Sequence, residues 1–270
     1  RLVGSEMCIR DRCAIADAAK EMGYHNAISN ASDIYSANSF QPPMTIGTVQ
    51  ASPLTMANVY ATMGANGVEC TPIAITKVTD RSGSKVKVPS ANCHQAIDPD
   101  IAQTVSYALN QGVVQPGGEA STTQLDNNRK TFAKTGTNEN TVMATAGFVP
   151  NQVAAFVAVA DAQDPINNTF DNKTINGVYR PSWYGMYIAT PAWKQFMNTY
   201  LAAINAPIDN DYGKGADKYT VSKGATRTYN QYQYQRQQNS QQQSQQQTNQ
   251  GQQQQSQQQP AEQQSDQQHQ

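Results

Sequence analysis

Residues Thr131–Ala160 read TFAKTGTNENTVMATAGFVPNQVAAFVAVA. Thr131–Thr137 favours an extended segment. Ala146–Val149 and Val153–Ala160 read as the arms of a hairpin turned at Pro150–Asn151. Val153–Ala160 is also the longest apolar run of the chain, at eight residues. That is far short of the roughly twenty a helix needs to cross a bilayer. A hairpin here, with helical patterns on both sides, predicts an α+β domain built on an antiparallel sheet.

The helical patterns lie outward from this core. Cys13–Met22 carries Ile15, Ala16, Ala19 and Met22 on one stripe, and Gly23 ends it. Asn26–Gln50 reads as loop. Ser52–Pro53 is a helix start, because serine caps the free N–H groups and proline's missing N–H costs nothing at the first position. Leu54, Ala57, Val59, Tyr60, Ala61 and Met63 follow, up to Asn66–Gly67. Thr71–Thr79 is rich in β-branched residues and predicts a strand. Asp80–Gly83 reads as a turn and Lys85–Val88 as a second strand. Asp98–Pro99 opens another helix, with Ile101, Val105, Ala108 and Leu109 as its apolar face and Gly112 at its end. Gln115–Asn128 is a polar loop. Thr190–Pro191 starts the last helix, where Trp193, Phe196, Met197, Tyr200 and Leu201 form a core stripe.

Composition narrows the function classes. The chain has 270 residues, 38% hydrophobic and only 14% charged. The low charge is partly local, since 24 of the last 40 residues, Gln231–Gln270, are glutamine. Such a segment cannot bury enough apolar surface to offset its ordering entropy, so 208–270 is expected to be a disordered tail. The net charge of −1 removes the electrostatic footing for nucleic-acid binding. An integral membrane chain and a dense disulfide scaffold are excluded as well. At the other end, Arg1–Arg12 (RLVGSEMCIRDR) resembles translated sequencing adapter, so native sequence is expected from near Cys13.

One short motif carries chemistry. In Lys134-Thr135-Gly136-Thr137 the lysine supplies a fixed positive charge on a strand that could line a cleft. Gly136 lets a ligand backbone approach closely. The Thr135 and Thr137 hydroxyls can grip a carboxylate, and the Thr137 N–H can face a developing oxyanion. The same four residues also suit a polar turn after a strand. Cys70, Cys93 and His94 lack metal-ligand spacing, and no metal or cofactor is expected.

Lys-Thr-Gly-Thr is a motif of the penicillin-binding serine enzymes. The flanks Ile46–Gly67, Cys70–Val78, Cys93–Leu109, Gly147–Val159 and Asn176–Met197 resemble, in the same order, segments of class A penicillin-binding proteins, most closely the actinobacterial members. The resemblance implies that 13–207 is the C-terminal part of a transpeptidase domain of a bifunctional cell-wall synthase. It implies acyl transfer from a D-Ala-D-Ala stem peptide, with stem peptide and β-lactams as ligands. Lys134 would be catalytic, and Thr135, Gly136 and Thr137 would bind substrate. It places the parent on the extracytoplasmic face of the membrane, with any anchor in an N-terminal part not contained here. Relatives usually carry bulky aromatics where this chain has Ala144-Thr145-Ala146.

The family's nucleophile is a serine in Ser-x-x-Lys at a helix start, with the lysine one turn away as its base. The one such match, Ser82-Gly83-Ser84-Lys85, sits in turn chemistry. The family's second motif, Ser-x-Asn, matches at Ser36–Asn38 and Ser90–Asn92, both on the wrong side of the first helix. The true first and second motifs are therefore expected upstream, leaving this chain inactive alone. Export implies an oxidising compartment, and Cys70 and Cys93 flank the two-stranded unit, so they are expected to pair. Cys13 is left over, and Cys8 falls in the adapter-like segment. A D,D-carboxypeptidase or β-lactamase would share the Lys134 wall, and a non-catalytic secreted binding module is a third reading.

Overall fold

The computed structural model describes residues 13–25, 42–161, 163–164, 167–216 and 219. The expected adapter segment, most of the Asn26–Gln50 loop, Ser36–Asn38 and the glutamine-rich stretch lie outside these residues. Helix α1 covers 13–21, and Gly23 follows it at φ +85°. Helix α2 is Pro53–Gly64, and its first turn is capped as expected, with Thr55 N–H donating to Ser52 Oγ at 3.1 Å. Two-residue strands β1 (Val68–Glu69), β2 (Val78–Thr79), β3 (Lys85–Val86) and β4 (His94–Gln95) follow. Helix α3 is Pro99–Val114, with Asp98 accepting from Asp100 N–H at its start. The central strands are β5 (Phe132–Asn138), β6 (Val142–Val149) and β7 (Val153–Ala160). Strands β8 (Lys173–Ile175) and β9 (Val178–Arg180) precede helix α4, Ala189–Ala203.

β5, β6 and β7 form an antiparallel sheet in that order, with Lys134 opposite Ala146 and Val149 opposite Val153. Side chains alternate between its two faces. Phe132 and Phe148 stack at 5.0 Å on one face, against Val59 and Met63 of α2. Ala133, Val149 and Ala155 occupy the other, under Trp193, Met197 and Leu201 of α4. Trp193 is fully buried, and its indole N–H donates to Ala155 O at 3.0 Å.

Several expected faces differ. On α3 the buried positions are Ala102, Ser106, Asn110 and Val113, while Ile101 and Val105 are exposed. Asn110 Nδ2 donates to Thr131 O at 3.0 Å, so a polar contact at the root of β5 sets the rotation of the helix. Gly112 lies inside α3 and does not end it. Ile15 on α1 is exposed too. α4 begins at Ala189 without a side-chain cap, because the Thr190 hydroxyl is buried against Thr145 at 2.8 Å. Phe196 (47% exposed) and Tyr200 stack on each other outside the core.

Thr71–Thr79 is a strand only at Val78–Thr79, which pairs with Lys85–Val86 across the expected turn. The ladder that anchors this excursion is β1–β4, with Glu69 opposite His94. One step further, Cys70 and Cys93 are disulfide-bonded, with α-carbons 4.1 Å apart. Closing a loop of this length is worth roughly 3 kcal/mol in the chain-entropy model. Reduction is expected to cost about that much in urea denaturation. Identical midpoints for oxidised and reduced protein would contradict it.

Residues 208–216, assigned by composition to the tail, instead return across the domain. Tyr212 is buried, donates to Met63 O, accepts from Asn66 N–H at 3.1 Å and meets Phe132 edge-on at 5.7 Å. Lys130 donates to Tyr212 O, and burial followed by the charge of Lys214 lowers its pKa. Arg129 binds the carbonyls of Ala206 and Pro207. No helix among the described residues is long and apolar enough to cross a membrane.

Candidate active-site wall

β5 is one of the two edge strands of the sheet, and Lys134 to Thr137 lie in its extended middle. The tight Glu139–Asn140 turn, with φ of +46° and +55°, returns the chain into β6. Pleating puts Lys134 and Gly136 on the face of Phe132, and Thr135 and Thr137 on the opposite face. The polar-turn reading of the tetrapeptide is thereby replaced by a strand.

Lys134 is more than half exposed. Its ammonium donates to Thr135 O at 2.6 Å and lies 3.5 Å from Glu119 Oε2. Both partners of that pair are exposed, so it is worth under about 1 kcal/mol and leaves the lysine easily recruited by a ligand. Lys134 and Ala133 form one side of a cleft of about 320 Å³, with Val105, Leu109 and Gly112 of α3 and Glu119 opposite. Of the apolar α3 residues expected to face the core, Val105, Ala108 and Leu109 thus line this cleft. Glu119 escaped the sequence reading, because its contact with Lys134 depends on how the loop after α3 closes.

A second segment crosses the strand at its centre. Gly185 N–H donates to Thr137 Oγ1 at 3.1 Å. A Cβ on Gly185 would collide with Gly136 O and come within 2.6 Å of Ala144 O. The absence of a side chain at 185 therefore allows a backbone-to-backbone approach to β5 and β6 from the Thr137 face. Thr137 Oγ1 is the acceptor in this bond, so its hydroxyl keeps its capacity to donate.

The other candidates part from this site. Ser82 lies in a turn, with its hydroxyl on Asp80 Oδ1 at 2.6 Å, and Lys85 starts β3. Ser90 accepts from Asn92 N–H within an exposed loop. The sulfurs of Cys70 and Cys93 are spent in their bond, and His94 lies 3.5 Å from Glu69 and 3.8 Å from Glu21. Among the described residues no three His, Cys, Asp or Glu side chains converge on a metal position.

Comparison with known proteins gives this arrangement its context. The penicillin binding protein transpeptidase domain matches residues 14–197. Penicillin-binding protein 1A of Neisseria gonorrhoeae is 30% identical over 167 residues, 58% of this chain and 19% of the relative. That of Mycolicibacterium smegmatis is 26% identical over 201 residues, 69% of this chain and 24% of the relative. The chain thus spans about a fifth to a quarter of these proteins. Among solved structures, PonA1 of Mycobacterium tuberculosis in complex with penicillin V superposes with a TM-score of 0.62 at 21% identity, covering 76% of this chain and 53% of that one. Penicillin-binding protein 1A of Haemophilus influenzae superposes with a TM-score of 0.56 at 20% identity, covering 76% and 33%. With the family model matching residues 14–197, well over half of the chain, and the same mixed architecture found in the family's structures, this chain belongs to the penicillin-binding protein transpeptidase domain family.

Proposed function

We propose that residues 13–207 form one wall of a peptidoglycan D,D-transpeptidase site that cross-links stem peptides by serine acyl transfer and binds β-lactams. The observation that carries this reading is Lys134-Thr135-Gly136-Thr137 on an open edge strand, with Lys134 held only by a solvent-exposed pair with Glu119 that a ligand anion can displace. In this reading Lys134 attracts the substrate carboxylate and raises the acidity of groups near it. Thr137 donates to the carboxylate, Thr135 does so by exchanging its long 3.4 Å bond to Glu119 O, and a strand-like peptide lies along β5 where Gly136 leaves room. Preorganised donors of this kind stabilise the charge that develops on the reacting carbonyl. The nucleophilic serine and its lysine base come from outside these residues, because Ser82 lies in a turn and Lys85 in strand β3 rather than on a helix. The reaction takes place on the extracytoplasmic face of the membrane, where the Cys70–Cys93 bond persists.

The chain by itself is expected to form no stoichiometric adduct with a fluorescent penicillin, read by intact mass. An adduct on any serine would show that the nucleophile has been misplaced. In a polypeptide that restores a Ser-x-x-Lys helix ahead of α1, labelling is expected, and Lys134→Met should suppress it. Full labelling with Lys134→Met would remove Lys134 from the site.

A further inference from the structure

Lys173 and Arg180 lie directly opposite each other on the β8–β9 hairpin. Like charges in that register repel. Neither pairs with an acid among the described residues. Asp171 is taken by Asn140 and Ser182. Asp161 is held by the N–H groups of Asp164 and Gln163 and by Asn168, and it feels Lys173 only through space.

Arg180 is nevertheless rigidly seated. Its guanidinium carbon lies 3.8 Å from the Tyr187 ring centre and 5.3 Å from that of Trp183, and the two rings meet edge to face. Trp183 is itself anchored, its indole N–H donating to Lys173 O at 3.0 Å. Arg180 Nε is the one buried side-chain polar atom without a hydrogen-bond partner among the described residues. Burial of Nε shows how closely the rings hold the guanidinium and leaves its terminal nitrogens as the donors a ligand can reach. One cation, Arg180, is thus fixed on an aromatic platform, and a second, Lys173, lies across the hairpin from it, with no ion pair to an acid among the described residues.

We propose that Arg180 and Lys173 bind the carboxylate of an acidic peptide at a site distinct from Lys134. The planar guanidinium fork matches a carboxylate, and stacking keeps it oriented before the ligand arrives. Lys173 adds a second positive charge on the same hairpin. Tyr187 and Trp183 offer apolar surface to the ligand's side-chain stem. The platform is close in sequence to Gly185, which bonds Thr137, so a peptide held here lies near the β5 edge. The site stands on its own geometry and does not depend on the transpeptidase reading.

The test is a titration of the ¹⁵N-labelled chain, following the Arg Nε–H resonances. The probes are acetyl-Glu-Glu-amide, its Gln-Gln counterpart and inorganic phosphate. The acidic dipeptide is expected to shift one arginine resonance saturably, and the neutral one to leave it in place. Trp183 indole resonances report that each variant is folded. Arg180→Gln should abolish binding. Arg180→Lys should weaken it about fivefold or more, because the fork and the stack are lost. Lys173→Gln should weaken it roughly 2–5-fold, as an exposed charge does. Lys134→Gln should leave it unchanged. No saturable shift, equal binding of the neutral dipeptide, or Arg180→Gln at wild-type affinity would overturn the proposal. Tighter binding of phosphate than of the acidic dipeptide would overturn the carboxylate assignment, and loss of binding in Lys134→Gln would overturn the separateness of the site.

Discussion

Trp193→Ala is expected to lower the stability of the domain by about 4 kcal/mol, the range for deleting a buried tryptophan. The indole fills the α4 side of the sheet beside Met197, Leu201 and Ala155 and is fully buried. It fits there because position 147 is glycine, where a Cβ would come within 2.6 Å of the ring. Truncation opens a cavity and also strips Ala155 O of its donor at 3.0 Å. In a domain of this size the melting temperature should fall by on the order of 10 °C. Urea denaturation measures the free energy directly. A loss under about 1 kcal/mol would mean that α4 can collapse onto the sheet. Trp193→Phe, which keeps much of the volume but not the N–H, should fall between.

Thr137→Val is expected to slow acylation by labelled penicillin about 100- to 1000-fold, in a polypeptide that restores the Ser-x-x-Lys helix. Valine keeps the shape but loses the hydroxyl proton that the proposed carboxylate contact needs. It also leaves Gly185 N–H without its acceptor at 3.1 Å. That second loss costs stability of only about 1 kcal/mol, so the folded fraction and the rate can be separated by measuring both. Thr137→Ser should retain most of the rate. A valine variant acylating within about threefold of the wild type would leave the hydroxyl without a role.

The helix starts were legible because their causes are local. Ser52 and Asp98 cap N–H groups within three residues, and proline follows each. α3 shows the limit of that legibility. Its apolar residues Ile101, Val105 and Leu109 outweigh Ala102, Ser106 and Asn110 on any hydrophobic count, yet the second set is buried. The bond from Asn110 to Thr131, 21 residues away, decides the rotation. α4 behaves likewise, with Thr190 drawn inward by Thr145 and not left at the helix end as a cap. The β8–β9 hairpin did leave a signal, Asn176–Gly177 at φ +51° and +77°, but its three-residue strands are too short to show alternation.

By itself the sequence determined the α+β class, the β6–β7 hairpin, the two capped helix starts and Lys134-Thr135-Gly136-Thr137 as the group with chemistry. Each of these is written in residues that touch or nearly touch along the chain. Tertiary structure alone decided that Gly185 crosses β5 at Gly136, that Glu119 meets Lys134, and that Tyr212 returns to lock Phe132. It also set Arg180 between Trp183 and Tyr187. The physical reason is range. Caps and turns are settled by hydrogen bonds within a few residues, whereas the surroundings of Lys134 and the arginine platform depend on where strands and crossing segments come to rest against one another.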